Sequence, residues 1–166
     1  MTTFKKQVTI NAPKQKVWKI LSHLGNVYKF NPSVSKSYYT TDKTDGIGAA
    51  RICELQSSGK ILETVKNWNE GNGFLLQIDP IEKGPPVRSF TGLFKLIELD
   101  MTSTQVSVTI NYEMKLGAIG LLLNNLIIQS KIEDSIEDLL EGLKVHSETG
   151  TEIKDTKALH KILNAA

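Results

Sequence analysis

Apolar and polar positions alternate from the first residues of the chain. Phe4, Val8 and Ile10 interleave with Lys5, Gln7 and Thr9, the period of a half-buried strand. The spacing then turns helical, with Val17, Trp18, Ile20, Leu21 and Leu24 on one side. Pro13 stands near the first helical position, where a missing N–H costs little, and Asn11 is placed to cap it. Gly25-Asn26 stops this helix, and a second short helix across Val27 to Phe30 ends at Asn31-Pro32. Segments 34–41, 49–55, 60–68 and 74–79 follow as strands separated by polar, glycine-bearing turns. Short regular intervals of that kind read as hairpins of an antiparallel sheet.

Pro80 to Pro86 carries a glycine and a Pro-Pro pair and reads as a loop. Segments 88–99 and 104–115 are the longest strands. In the second, Val106, Val108, Ile110, Tyr112 and Met114 share one face, while Ser107, Thr109, Asn111 and Glu113 share the other. Such an apolar face has to be covered. The cover is a helix from about Gly120 to Ser147, with Leu122, Leu126, Ile132, Ile136, Leu139, Leu140 and Leu143 recurring along it. Glu133, Asp134, Glu137, Asp138 and Glu141 lie opposite. Its first half is apolar nearly all round, which predicts burial on more than one side there. Residues 1–149 therefore read as one domain and 150–166 as a polar tail with a weak amphipathic turn from Ala158 to Leu163.

Composition narrows the function classes. The 166 residues suffice for a sizeable core without cross-links. With 20 basic and 18 acidic side chains the net charge is +2, so no nucleic-acid partner is expected. Cys53 is the single cysteine, which excludes an intramolecular disulfide and a cysteine-based zinc site. The first residues lack the apolar core of a secretory signal. The greasiest run, Leu116 to Ile128, is broken by Asn124-Asn125 and too short to span a bilayer. The expectation is a cytoplasmic protein with no integral membrane segment.

Three stretches carry a resemblance. "INAPKQKVW" looks like the start of the START-like (SRPBCC) superfamily, especially its polyketide cyclase/dehydrase branch, where a strand ends in Ala-Pro and the next helix carries Val-Trp. "GAARICELQSSGKILETV" is similar to the family's middle hairpin, placing its Arg, turn glycine and Glu at Arg51, Gly59 and Glu63. "TQVSVTINYEMK" before the long helix resembles the last strand and lid. The resemblance covers roughly residues 4 to 147. It implies an α+β helix-grip fold: a curved antiparallel seven-stranded sheet wrapped around a long C-terminal helix, with two short helices after the first strand. It also implies an internal cavity.

Strand parity turns Phe74, Leu76, Ile78, Phe90, Phe94, Leu96, Val106, Val108, Ile110, Tyr112 and Met114 inward, and the helix offers Leu123, Leu126 and Ile127. Each has a plain reading as core filling beside its reading as a cavity wall. The resemblance sets Arg51 against Glu63, either as a buried polar anchor for a ligand or as a cross-strand surface pair. Tyr112 has two readings, donating into the cavity or holding a buried carbonyl. The loops 55–60 and 80–87 stand where relatives have entrance loops, or are ordinary hairpin ends.

Catalysis finds little support. His23, His146 and His160 lie at helix ends or in the tail, and no triad, phosphate-cradling loop, cofactor motif or metal spacing occurs. The leading expectation is binding or carriage of a hydrophobic small molecule, a lipid, isoprenoid or polyketide-like ring. The alternative is a polyketide cyclase/dehydratase-type enzyme, with Arg51, Glu63 or Tyr112 polarising a carbonyl. A third is an interaction module using the acidic helix face or the tail. The pattern leaves the oligomeric state open.

Overall fold

The apolar face of every strand turns toward one long helix. In the computed structural model, residues 1–57, 59–83, 86–115 and 121–165 are described, without the side chains of 121–126. The strands are β1 (Thr2–Ile10), β2 (Val34–Tyr39), β3 (Ala50–Leu55), β4 (Lys60–Asn69), β5 (Gly73–Glu82), β6 (Val87–Asp100) and β7 (Ser103–Met114). They form one antiparallel sheet in the order β1-β7-β6-β5-β4-β3-β2. Helix α1 (Lys14–Leu21) and a 3-10 helix (Leu24–Lys29) link the two edge strands, and α2 (Leu121–Thr149) crosses the concave face. This is the helix-grip architecture that the pattern of the chain predicts.

Curvature has a local cause. The β4–β5 register shifts at Lys60/Ile61 and Val65/Asn67, and the β6–β7 register at Val87/Ser89 and Glu98/Asp100. Each such bulge bends its strand and adds twist. Strands β5 and β6 pair only from Gly73↔Lys95 to Gln77↔Thr91. Beyond Gln77, β5 pairs among the described residues with β4 alone. That corrects the loop expected at Pro80–Pro86: β5 continues through Pro80 to Glu82. A proline is tolerated there because the β6 side of the strand has no ladder to interrupt.

Two further expectations are corrected. Asn11 does not cap α1: Pro13 holds the cap position, and the Asn11 backbone N–H donates to Glu148 at 2.7 Å. The weak turn in the tail is an eight-residue helix, α3 (Thr156–Leu163), capped by Asp155 accepting from the Ala158 N–H at 2.8 Å. Leu159 and Ile153 are buried with Val145 in a small second core. The acidic face of α2 is partly covered: Lys6 of β1 reaches Glu137 at 3.1 Å, and Asp138 meets His160 at 3.0 Å.

One end of the grip is closed by aromatic rings. Trp18 of α1 packs 5.1 Å from Trp68 between ring centroids, Trp68 stacks on Phe74 at 5.5 Å, and Phe74 on Phe94 at 4.9 Å. The Glu70 carboxylate accepts from both indole N–H groups, at 2.8 Å from Trp18 and 2.7 Å from Trp68. These two bonds hold its pKa below the ordinary 4.5. At the same end Gly142 of α2 presses on the backbone carbonyl of Phe30, which a Cβ would strike.

Two outcomes follow. Gly142→Ala gains about 1 kcal/mol of helix propensity yet is expected to lose a net ~2 kcal/mol through overpacking, read from urea unfolding. A stabilised variant would mean that α2 does not seat on Phe30. The lowered Glu70 pKa means that its contribution is complete above the unfolded value of 4.5 and disappears as pH falls through the lower folded value. Trp18 and Trp68 are the only two tryptophans. An acid transition in their emission, with a midpoint below 4.5 and absent in Glu70→Gln, is expected.

Candidate functional site

The bent sheet and α2 do not meet along their whole length, and a hollow of about 330 Å³ remains between them. Strand side chains Phe74, Ile78, Phe90, Phe94 and Ile110 form its floor. Ile128, Ile132, Ile136 and Leu139 of α2 form its roof, and Leu21, Val27 and Phe30 from the short helices close one end. Gly92 adds room: a Cβ built there would rest against Ile110, Ile78 and Phe94, all of them floor residues. An apolar cavity of about 150 Å³ already stays dry and binds benzene. A hollow roughly twice that size suits a two-ring or medium-chain guest.

One charged pair interrupts the apolar wall. Arg51 of β3 and Glu63 of β4 are register partners, and both are buried, at 5% and 9% exposure. The Arg51 Nε donates to Glu63 Oε2 at 2.6 Å, and its Nη1 donates to the Leu24 carbonyl at the start of the 3-10 helix. The Cys53 thiol donates to the same Glu63 oxygen at 3.4 Å. Burial opposes the charged guanidinium, but the Glu63 carboxylate outweighs it and keeps the Arg51 pKa above its ordinary value. Burial, then the Glu63 charge, pushes the Cys53 thiol far up, so this thiol is not a nucleophile. Beyond the pair, the lining among the described residues is polar only at Asn31, Ser33, Ser135 and the exposed Lys131 of α2. Ser33 and Ser135 hydroxyls meet at 3.1 Å across the gap between sheet side and helix.

Arg51, Glu63, Phe74, Ile78, Phe90 and Phe94 thus lie together around the hollow. Leu76 and Tyr112 have the inward parity but are packed into the solid core, each 1% exposed. The Tyr112 hydroxyl has no partner among the described residues, so it does not hold a buried carbonyl there. Met114, at the far end of β7 against Val87, is half-buried outside the lining. Ile127 is 57% exposed and does not face the hollow. The side chains of Leu123 and Leu126 lie outside the described residues.

The reason for the Ile127 error is rotational. Carried one turn back, the Ile132, Ile136 and Leu139 stripe arrives at Ile128, and Ile127 sits about 100° round the helix from it. That period was available in the sequence. The end wall of Leu21, Val27 and Phe30 was less accessible, since its position depends on how the short helices dock. None of the three histidines lines the hollow.

A seven-stranded grip on a long helix with an apolar hollow defines a helix-grip domain with an internal cavity. The model of the family described as "Polyketide cyclase / dehydrase and lipid transport" matches residues 1–148, and the chain belongs to this family. No curated protein matches the chain by sequence. Among solved structures, a START superfamily protein from Mycobacterium smegmatis aligns with a TM-score of 0.73 at 18% identity, covering 90% of this chain and 99% of that one. The Zhui aromatase/cyclase from Streptomyces aligns with a TM-score of 0.72 at 14% identity, covering 88% and 93%. At these identities the likeness is one of fold. The family and fold are those of hydrophobic-ligand binders and of polyketide cyclase/dehydrase-like proteins. No helix among the described residues is long and apolar enough to cross a membrane.

Removing one half of the buried pair strands a charge. Glu63→Ala is expected to cost about 3–5 kcal/mol in urea unfolding. The volume-matched double variant Arg51→Met with Glu63→Leu should recover most of that loss. Equal losses in both would show that the pair is not truly desolvated.

Proposed function

We propose that the chain binds and carries a hydrophobic small molecule, a lipid, isoprenoid or polyketide-like ring, in the hollow under α2. The observation that carries this reading is the lining itself: about 330 Å³ walled by aromatic and aliphatic side chains, with one buried ion pair. Packed interiors leave few voids larger than a water molecule. An apolar hollow of this size forfeits contacts that a guest would restore. The wall residues Arg51, Glu63, Phe74, Ile78, Phe90 and Phe94 are the proposed contacts.

A second reading is favoured by Arg51. Some of its N–H groups have no partner among the described residues, and a guanidinium at a cavity wall polarises a ketone. In that reading the chain folds a bound poly-β-ketone and promotes ring closure with loss of water. Incubation with a linear poly-β-ketone analogue separates the two. A carrier returns it unchanged, whereas a cyclase/dehydratase returns a ring.

For the carrier reading, native mass spectrometry of protein purified from cells is expected to show a bound small molecule. A panel of lipids, isoprenoids and aromatic compounds should raise Tm. Gly92→Val, which fills the floor while remaining compatible with a strand, is expected to abolish the rise and leave the fold intact. A chain that carries nothing and is stabilised by no member of the panel would remove the reading.

A further inference from the structure

The family match ends at residue 148, yet the segment that follows is bonded into the body at several points. On the sheet side, the Ile153 N–H donates to the Lys29 carbonyl at 2.8 Å, and Glu152 meets the Lys29 ammonium at 3.0 Å. The Gln56 side chain donates to the Lys154 carbonyl at 2.8 Å. On the helix side, His160 donates to Asp138 of α2 at 3.0 Å, and His146 of α2 donates to the Thr151 carbonyl at 2.8 Å. Ile153 and Leu159 are buried against Val145 of α2, at 1% and 0% exposure. Gly150, at φ 78°, ends α2 and turns the chain back for these contacts.

Those anchors are chain neighbours of the hollow. Lys29 precedes Phe30, which closes one end, and the His146 ring stacks on Phe30 with centroids 6.3 Å apart. Gln56 follows the lining residue Leu55, and its backbone N–H donates to the Ser33 carbonyl at 2.9 Å. Asp138 precedes Leu139 in the roof. The hollow meets solvent beside the exposed Lys131, one helical turn from Ser135, whose hydroxyl meets that of Ser33. Ser33 and Leu55 thus form the sheet-side lip of a mouth, and Lys131 and Ser135 the helix-side lip. The terminal segment is bonded to both sides. We infer that residues 151–163 are a latch across this mouth, which must release before a guest passes in or out. This rests on the ligand-binding reading above. With the latch seated, α2 and the β3–β4 hairpin cannot part. Its bonds to the body lie mostly at the surface and its own core is small, so it opens more readily than the main core. A latch that opens for passage in both directions changes uptake and release together and leaves the affinity nearly as it was.

The test uses the full chain and prodan, an uncharged two-ring dye. Energy transfer from Trp18 and Trp68, the only two tryptophans, reports bound dye. Stopped-flow mixing gives the uptake rate, and mixing with excess phosphatidylcholine vesicles gives the release rate. Leu159→Ser opens the small core without touching the main one. It is expected to raise both rates about tenfold or more, with Kd kept within about twofold. Gln56→Ala and His160→Ala each remove one exposed bond, on opposite sides of the seam, and are expected to raise both rates about threefold. Lys161→Gln changes an exposed side chain of α3 outside these bonds and is expected to leave both rates unchanged. Hydrogen exchange gives a reading without dye: the Ile153 amide should lose protection in Leu159→Ser while the amides of β7 keep theirs.

Wild-type rates in Leu159→Ser, with the Ile153 amide exchanging freely, would overturn the latch while leaving the hollow a binding site. A change confined to release would overturn it equally, since the segment would then only shape the wall at Phe30. If Leu159→Ser fails to fold, Gln56→Ala and His160→Ala decide alone, and wild-type rates in both would overturn it. Should prodan and the whole ligand panel fail to bind the unaltered chain, the ligand-binding reading falls and takes the latch with it.

Discussion

The arrangement depends on a single guanidinium. Arg51 stands on β3, holds the β4 carboxylate of Glu63 and grasps the Leu24 carbonyl of the 3-10 helix, so one side chain fastens three elements. Its charge is tolerable in the interior only because Glu63 is its register partner across the hairpin. Each of these bonds needs the other elements in place. The short helices, the middle hairpin and the wall of the hollow therefore share one electrostatic condition.

The hollow persists because α2 is braced where it matters and left clear elsewhere. At its C-terminal half the helix seats Gly142 on the Phe30 backbone and buries Leu139, Leu140 and Leu143. Lys144 reaches the Thr9 carbonyl at 2.8 Å, and Lys6 meets Glu137. These contacts fix the height of the helix above the sheet at one end. Bulges in β4 and β6 carry the sheet away from it toward the other. Side chains as large as Phe90 and Ile128 line the remaining space without filling it.

Much of this was legible in the residues. Period-two alternation in 2–10 and 104–115, turn chemistry between the strands and the apolar stripe of α2 specify a sheet that wraps a helix, because each states which face must be dry. The errors have local causes. Pro80 reads as a loop residue, but it lies where β5 has lost its β6 neighbour. Asn11 reads as a cap, but Glu148, far along the chain, claims its backbone N–H. The pairing of Arg51 with Glu63 came with the family resemblance. Its third partner, the Leu24 carbonyl, has no side-chain signature and no pattern could reveal it. Ile127 was misplaced although the stripe of Ile132, Ile136 and Leu139, carried one turn back, leads to Ile128 instead.

The short ladder between β5 and β6 has a mechanical corollary. Five residue pairs join a leaf made of β2 to β5 to a leaf made of β6, β7 and β1, and all five lie at the aromatic end. The sheet is thus bound like a book, with a short spine beside the stacked Phe74 and Phe94 rings and loose pages at the opposite margin. Thermal breathing concentrates where cross-strand bonds are fewest. The margin away from the stacked rings is therefore where the two leaves part most readily.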